Sequence, residues 1–218
     1  MALDVTQLEL GPFPVNCYLV RRPEADEAVV VDPGWPGEDA NIRHELARLG
    51  ARCVGILVTH GDIDHLGGVA ELAEGTGAPV FMAEDERELL ERINDFMPAG
   101  FEYLTLRPYT PDVLLQGDET FEAAGITFET LRVPGHTAGH LAYAVDGRLF
   151  SGDVLFAGSI GRTDRPNGDH EVLLESIRLL VERFPPETIV YSGHGPPTTL
   201  GDELAGNPFL AELRASHR

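Results

Sequence analysis

Residues 60–65 constrain this chain more than any other segment, because four imidazole or carboxylate groups lie within those six positions. The segment follows an apolar run at 54–58 and precedes a helical pattern at 69–74. In α/β sheets, ligand sites form where a strand ends and a helix begins. Carboxylates this close together would repel one another, and a bound cation removes that repulsion. The candidate metal ligands of this segment are His60, Asp62, Asp64 and His65.

Three further apolar runs end in a glycine that is followed directly by a side chain able to bind metal. These side chains are His136, Asp153 and His194. A glycine lets the chain turn sharply and lets the backbone approach a crowded centre. A lone histidine in such a place is more often a structural hydrogen-bonding residue. Four strand ends of the same kind in one chain instead indicate a common site.

Strand-like and helical patterns alternate along the chain. The strand-like runs lie at 4–10, 17–21, 28–31, 54–59, 80–82, 126–133, 141–145 and 188–191. Helical spacing of apolar residues covers 38–49 and 169–184, and two prolines end the second of these. Neither a repeat nor a linker divides the sequence. The alternation therefore predicts a single α/β domain over residues 1–218.

The segment 85–111 departs from this alternation. It begins as a charged helical pattern and continues with three prolines and a group of aromatic residues. The aromatic residues are Phe96, Phe101, Tyr103 and Tyr109. Two interpretations stay open, a flap over a cleft and an ordinary excursion with a small core of its own.

Composition excludes several classes of partner. The 36 acidic and 16 basic residues give a formal net charge of −20, which repels the phosphates of nucleic acids and anionic membranes. The sequence has neither an apolar run of membrane-spanning length nor a signal-like start, so we expect a cytoplasmic protein. Cys17 and Cys53 lie in apolar strand-like runs and are expected to be buried free thiols.

The motifs occur in a characteristic order. They read T-H-x-x-x-D-H-x-G-G at 59–68, P-G-H-T-x-G-H at 134–140, G-D at 152–153 and G-H-G at 193–195. This order resembles the metallo-β-lactamase superfamily over nearly the whole chain. Residues 155–164 look most like the short bacterial glyoxalase II-like hydrolases, the hydroxyacylglutathione hydrolase type. The resemblance implies an αββα sandwich with metals at the edge between its sheets.

The resemblance also implies a division of the ligands between two divalent ions. The first position takes His60, Asp62 and His136. The second position takes Asp64, His65 and His194. Asp153 bridges the two positions, and His140 orients its neighbours from outside the ligand set. Zinc is the expected metal, with iron or manganese as alternatives.

Asp62 is the one departure from the family pattern, which has a histidine at this position. Its carboxylate oxygen prefers harder ions than an imidazole nitrogen does. Direct ligation by Asp62 is the interpretation we favour, and ligation through a water is a second. The third is a single iron held by His60, His136 and Asp153, with Asp62 outside the ligand set.

The resemblance implies hydrolysis of a small-molecule thioester, S-lactoylglutathione or a related thiol ester. Hydroxide generated by the metals attacks the carbonyl, Asp64 orients it, and Arg162 binds the anionic end of the substrate. The alternative is persulfide dioxygenation at a mononuclear iron centre. Lactone or β-lactam hydrolysis and a non-catalytic binding module are further alternatives.

Overall fold

The computed structural model describes residues 2–216 and contains two six-stranded sheets. The strands of the first sheet are β1 (Asp4–Leu10), β2 (Val15–Arg21), β3 (Glu27–Val31), β4 (Arg52–Leu57), β5 (Val80–Ala83) and β6 (Val113–Leu115). The second sheet begins with β7 (Thr120–Ala123), β8 (Ile126–Arg132), β9 (Leu141–Val145) and β10 (Arg148–Gly152). A separate hairpin follows, formed by β11 (Leu155–Phe156) and β12 (Ser159–Ile160). β13 (Ile189–Ser192) and β14 (Thr198–Thr199) complete the second sheet.

Seven α-helices accompany the sheets in the described part of the chain. They are α1 (Asp39–Arg48), α2 (Ile63–Leu66), α3 (Val69–Thr76), α4 (Arg87–Glu91), α5 (His170–Arg183), α6 (Leu200–Gly206) and α7 (Ala211–Ser216). Short 3-10 helices lie at Glu84–Glu86, Ile93–Phe96 and Pro208–Leu210. Within residues 2–216, none of the helices has the length and apolar character needed to cross a bilayer.

Both sheets mix strand directions. In the first sheet, β1 to β3 are antiparallel, whereas β3 to β6 are parallel. The second sheet is antiparallel except for the parallel pair of β10 and β13. Parallel strands covered on both faces read as continuous apolar runs rather than alternating ones, which is the pattern of β3 and β4. Loops at the carboxyl ends of these strands share one edge of the molecule.

The core consists of three clusters of buried residues, one between the two sheets and one between each sheet and its helices, as an αββα sandwich requires. In β3, Val29 and Val31 pack in the cluster between the sheets, whereas Val30 packs in the cluster that includes Ile42 of α1 and Leu72 of α3. A third cluster joins the second sheet to α5, α6 and α7. The predicted α/β class, the αββα sandwich and the single domain are therefore what the structure shows. Cys17 and Cys53 are buried free thiols, as predicted.

The segment 85–111 combines features of both interpretations given above. The charged helical pattern at 86–93 predicts a helix longer than the one observed, since only Arg87–Glu91 is α-helical. Leu90, Ile93 and Leu106 are buried in the cluster beneath α1 and α3, so the segment is anchored. Phe101, in contrast, lines the cavity described below. Movement of the segment as a flap stays a prediction.

The core between the sheets supports a stability prediction. Phe128 is fully buried there, so we expect Phe128→Ala to lower the free energy of unfolding by about 3–5 kcal/mol. Phe209→Ala is the matched control, because Phe209 is 50% exposed and should cost under about 1 kcal/mol. Urea unfolding followed by circular dichroism measures both. Equal losses in the two variants would contradict the packing described here.

Candidate metal centre

All seven predicted ligands converge at the edge of the sandwich where strands of both sheets end. Three groups of three residues each have one ligand atom per residue within 4.8 Å of the others, and one of these groups is His60, His65 and Asp153. We call His60, Asp62 and His136 the first triplet, and Asp64, His65 and His194 the second triplet. In each triplet, two residues follow β4 and the third follows a strand of the second sheet. The predicted ligands are thus brought together by the packing of the two sheets.

Asp153 lies between the triplets, at the place expected of a bridging carboxylate. Its Oδ1 is 3.3 Å from Nε2 of His65, and its Oδ2 is 3.8 Å from Nε2 of His136 and 3.6 Å from Nε2 of His194. Gly193 makes this close approach possible. A Cβ atom at Gly193 would lie 2.2 Å from Oδ1 of Asp153, so no other residue fits without displacing the carboxylate.

Two of the four histidines are held by a chain of hydrogen bonds that begins at Asp32. The Thr59 hydroxyl donates to Asp32 Oδ2 at 2.8 Å, so His60 Nδ1–H donates to the Thr59 oxygen at 3.0 Å. Asp32 Oδ2 also accepts from His65 Nδ1–H at 2.9 Å. With Nδ1 engaged, Nε2 of each ring faces the centre, which is how neighbouring acceptors orient metal-binding histidines.

The other two histidines are held by backbone carbonyls. His136 Nδ1–H donates to the carbonyl of Arg162 at 2.8 Å, and His194 Nδ1–H donates to that of Pro14 at 3.1 Å. All four rings therefore present the same nitrogen, Nε2, to the centre. This common orientation favours metal binding over four unrelated structural roles.

Unpaired buried atoms indicate that the residues fit metal ions. His60 Nε2, His65 Nε2 and Asp153 Oδ1 are buried and have no hydrogen-bond partner among the described residues. A buried polar atom without a partner is costly, and a cation at the centre would satisfy all three. Imidazole nitrogen mixed with carboxylate oxygen is a donor set suited to divalent transition metals. The two triplets and Asp153 therefore fit two such ions.

The charges of the centre favour ionised carboxylates. Burial disfavours the charged form of Asp153, but the facing rings of His65 and His60 outweigh it and hold its pKa well below the ordinary value. Burial likewise opposes protonation of His65, yet Asp153 and Asp32 raise its pKa. Asp153 is therefore available as an anionic ligand over the whole physiological range of pH.

Asp62 faces the centre rather than the backbone of its own turn. It directly precedes α2 but makes no side-chain cap there. Its Oδ2 lies 3.3 Å from His136 Nε2 and 3.7 Å from His60 Nε2. The same oxygen forms an ion pair with Arg165, a residue that the sequence analysis did not single out. Burial opposes ionisation of Asp62, but its bonds with His136 and His60 lower its pKa well below the usual range.

His140 lies behind the candidate ligands, in contact with His60 and with the backbone of Asp153. Its ring stacks on that of His60 with centroids 4.6 Å apart, and its Nε2 accepts the backbone N–H of Asp153 at 3.1 Å. Burial, followed by the neighbouring ring of His60, lowers the pKa of His140 well below its ordinary value. The ring is therefore neutral, which leaves Nε2 free to accept and fixes the backbone of Asp153.

A cavity of about 620 Å³ opens in front of the triplets. Arg162 lines it, as expected of a substrate-binding residue, but its guanidinium already donates to both oxygens of Asp164 at 2.7 Å. Its backbone carbonyl is the acceptor that orients His136. Arg162 is thus connected to the site in two ways, and its contact with substrate stays a prediction.

Asp32 and Thr59 position two of the candidate ligands, and the sequence analysis gave neither of them a role. Asp32 directly follows the apolar strand β3 and precedes Pro33, so it has the same strand-end position as the predicted ligands. That position was the available signal. Its partners could not be read from the sequence, because they depend on the parallel pairing of β3 with β4.

Comparison with known proteins identifies the family. The family model of the metallo-β-lactamase superfamily matches residues 10–194. The chain belongs to this superfamily. Hydroxyacylglutathione hydrolase GloC of Haemophilus influenzae is 33% identical over 211 residues, which cover 95% of this chain and 98% of the relative.

Solved structures of the superfamily agree in fold. The structure titled BLEG-1 B3 metallo-β-lactamase is 39% identical and covers 95% of this chain and 100% of its own, with a TM-score of 0.84. TTHA1623 in a di-iron-bound form is 37% identical and covers 94% and 100% respectively, with a TM-score of 0.80. The metallo-β-lactamase fold thus extends over nearly the full length of this chain.

The geometry predicts about two transition-metal ions per chain after expression with ample zinc, iron and manganese. His136→Ala should lower metal content and reduce hydrolysis by about 100-fold or more, because the first triplet loses a ring nitrogen. His44→Ala is the matched control, because His44 lies on the exposed face of α1. Elemental analysis and circular dichroism measure the metal and the fold. A His136→Ala protein with full metal content would remove His136 from the ligand set.

Asp62→His tests the departure from the family pattern. An imidazole in place of the carboxylate should raise the zinc share of bound metal by about twofold or more over iron and manganese. Asp118→His is the control, since Asp118 is exposed and does not line the cavity. Elemental analysis after expression in equal amounts of the three metals gives the shares. Equal shares of zinc, iron and manganese in the wild type and both variants would show that Asp62 does not select the metal.

Proposed function

We propose that this protein is a cytoplasmic metal-dependent thioester hydrolase of the glyoxalase II type. The observation that carries the proposal is the position of Asp153 between two ligand triplets at the floor of a cavity. The 33% identity to a protein named hydroxyacylglutathione hydrolase supports the substrate class. Two divalent ions are the proposed cofactors, zinc first, with iron or manganese as alternatives. The di-iron form of TTHA1623 supports the iron alternative.

The residues of the centre suit attack on a carbonyl. Two divalent ions bound there would lower the pKa of a water and polarise the carbonyl of the substrate. Asp64 reaches the cavity, with its Oδ2 3.4 Å from His194 Nε2, and orients the attacking water. A thiol has a pKa of about 8.5, so a thiolate departs without a strong general acid. Thioesters therefore match a site whose chemistry rests on carboxylates and imidazoles.

Persulfide dioxygenation at one iron is the second candidate. It is favoured by the distance of 3.8 Å between His136 Nε2 and Asp153 Oδ2. His60 also has a ligand atom within 4.8 Å of one in each of these two residues. Two histidines and one carboxylate are the usual ligands of non-haem iron oxygenases. β-Lactam hydrolysis is a third candidate, because the 39% identical BLEG-1 is named a metallo-β-lactamase.

A substrate panel with the metal-loaded protein separates these candidates. We expect cleavage of S-lactoylglutathione or a related thioester with kcat/KM at least about 100-fold above that for a lactone or a β-lactam. Glutathione persulfide should cause no oxygen uptake at an oxygen electrode. Oxygen consumption with the persulfide, without thioester cleavage, would replace the first proposal by the second. Preferred cleavage of the β-lactam would favour the third.

Arg162→Ala should raise KM for S-lactoylglutathione by about 5–10-fold and change kcat by less than about twofold, since remote charge binding acts equally on ground and transition states. Asp164→Ala should lower KM, because it frees the Arg162 guanidinium from its present partner. Arg178→Ala is the control, because Arg178 lies on the exposed face of α5. Steady-state kinetics measures all three. Unchanged KM values in the first two variants would remove Arg162 from the substrate site.

A further inference from the structure

Three aromatic rings from separate parts of the chain meet at one side of the cavity. Phe13 lies between β1 and β2, Trp35 follows β3, and Phe101 belongs to the segment 85–111. Their ring centroids lie 5.3–5.6 Å apart in edge-to-face contacts. We call these three residues the aromatic wall. Such contacts between segments distant in sequence form a defined surface rather than a chance exposure of single side chains.

The aromatic wall presents apolar surface to the cavity. Phe13 is 44% exposed and Phe101 is half-buried, and both line the cavity in front of the triplets. Trp35 supports them from behind. Gly11 allows this arrangement, because its φ is +68° and a Cβ atom there would lie 2.5 Å from Cβ of Trp35. The backbone before Phe13 therefore packs directly against Trp35, which holds the wall in position.

The wall lies beside the second triplet. Phe13 is bonded to Pro14, whose carbonyl accepts from His194. The ring of Phe156 extends the apolar surface, with its centroid 6.1 Å from that of His194. This side of the cavity therefore offers aromatic carbon within reach of a group bound at the centre.

The cations of the cavity lie beside the first triplet instead. Arg165 forms an ion pair with Asp62, and the backbone of Arg162 holds His136. The cavity is thus divided, with arginines on the side of the first triplet and aromatic rings on the side of the second. A substrate whose carbonyl lies at Asp153 would extend one end towards each side.

We propose that the aromatic wall binds the acyl group of the substrate and that this group is aromatic or otherwise bulky and apolar. The inference rests on the proposed thioester hydrolysis and names its substrate class. The anionic thiol portion extends towards Arg162 and Arg165 on the opposite side. An acyl group as small as lactoyl leaves the wall in contact with water, whereas a phenyl ring covers it.

Two thioesters that differ only at the acyl side chain test the proposal. S-mandeloylglutathione carries a phenyl ring where S-lactoylglutathione carries a methyl group. We expect the wild type to prefer the mandeloyl ester by about tenfold or more in kcat/KM. Phe101→Ala should lower kcat/KM for the mandeloyl ester by at least about fivefold more than it lowers kcat/KM for the lactoyl ester, which removes most of this preference. Phe96→Ala is the matched control, because Phe96 is on the same segment, is 46% exposed and does not line the cavity.

The fluorescence of Trp35 provides a readout that does not need catalysis. Trp35 is the single tryptophan of the chain, and it contacts both Phe13 and Phe101. Mandelate and lactate share an α-hydroxy acid and differ in the phenyl ring. Titration of the metal-loaded protein with mandelate should change the emission of Trp35, whereas lactate should not. Phe101→Ala should abolish the difference between the two acids, and Phe96→Ala should retain it.

The two experiments separate failure of the aromatic wall from failure of the proposed function. Thioester cleavage without a preference for mandeloyl, together with equal responses of Trp35 to the two acids, overturns the wall and leaves the hydrolase. A response of Trp35 to mandelate alone, without cleavage of either thioester, supports the wall and overturns the thioester reaction. A mandeloyl preference that survives Phe101→Ala also contradicts the wall as its source.

Discussion

The carboxylate of Asp32 is the contact on which the candidate metal centre depends. It receives the backbone N–H and the hydroxyl of Thr59, and it faces the Nδ1 of His65. Asp32 follows β3 and Thr59 follows β4, so this one buried group joins two neighbouring strand ends to α2. It does so in a left-handed backbone conformation, with φ of +51°. Through Thr59 it also fixes His60, and half of the centre's imidazoles thus share one anchor.

The negative charge of the molecule and of the site has opposite effects on metal ions and on an anionic substrate. The chain carries a formal net charge of −20, and three carboxylates converge at the cavity floor, namely Asp62, Asp64 and Asp153. Cations are therefore attracted to the centre, while anionic substrates are repelled by the surface as a whole. Arg162 and Arg165 offset this repulsion locally, although each is paired with an aspartate. Apolar contact at the aromatic wall supplies a source of affinity that does not work against the charge.

The sequence predicted the fold and the seven converging groups well, because both depend on local patterns. Apolar runs that end in glycine and a polar side chain identify strand ends, and strand ends of packed sheets share an edge. The short strands β6, β7, β11, β12 and β14 were missed, since two to four residues carry little periodicity. Arg165 was missed for another reason. Its partner, Asp62, lies 103 positions away, and only the folded chain brings the two together.

Each ligand triplet draws two residues from the first sheet's side of the molecule and one from the second sheet's side. An ion held by either triplet would therefore fasten the two halves of the sandwich to each other at one edge. Because unfolding separates those halves, it must also release the ions, and their binding free energy adds to that of folding. The same ligand atoms would then both form the reactive centre and hold the two sheets together. Chelation should consequently loosen the whole domain rather than only empty its site.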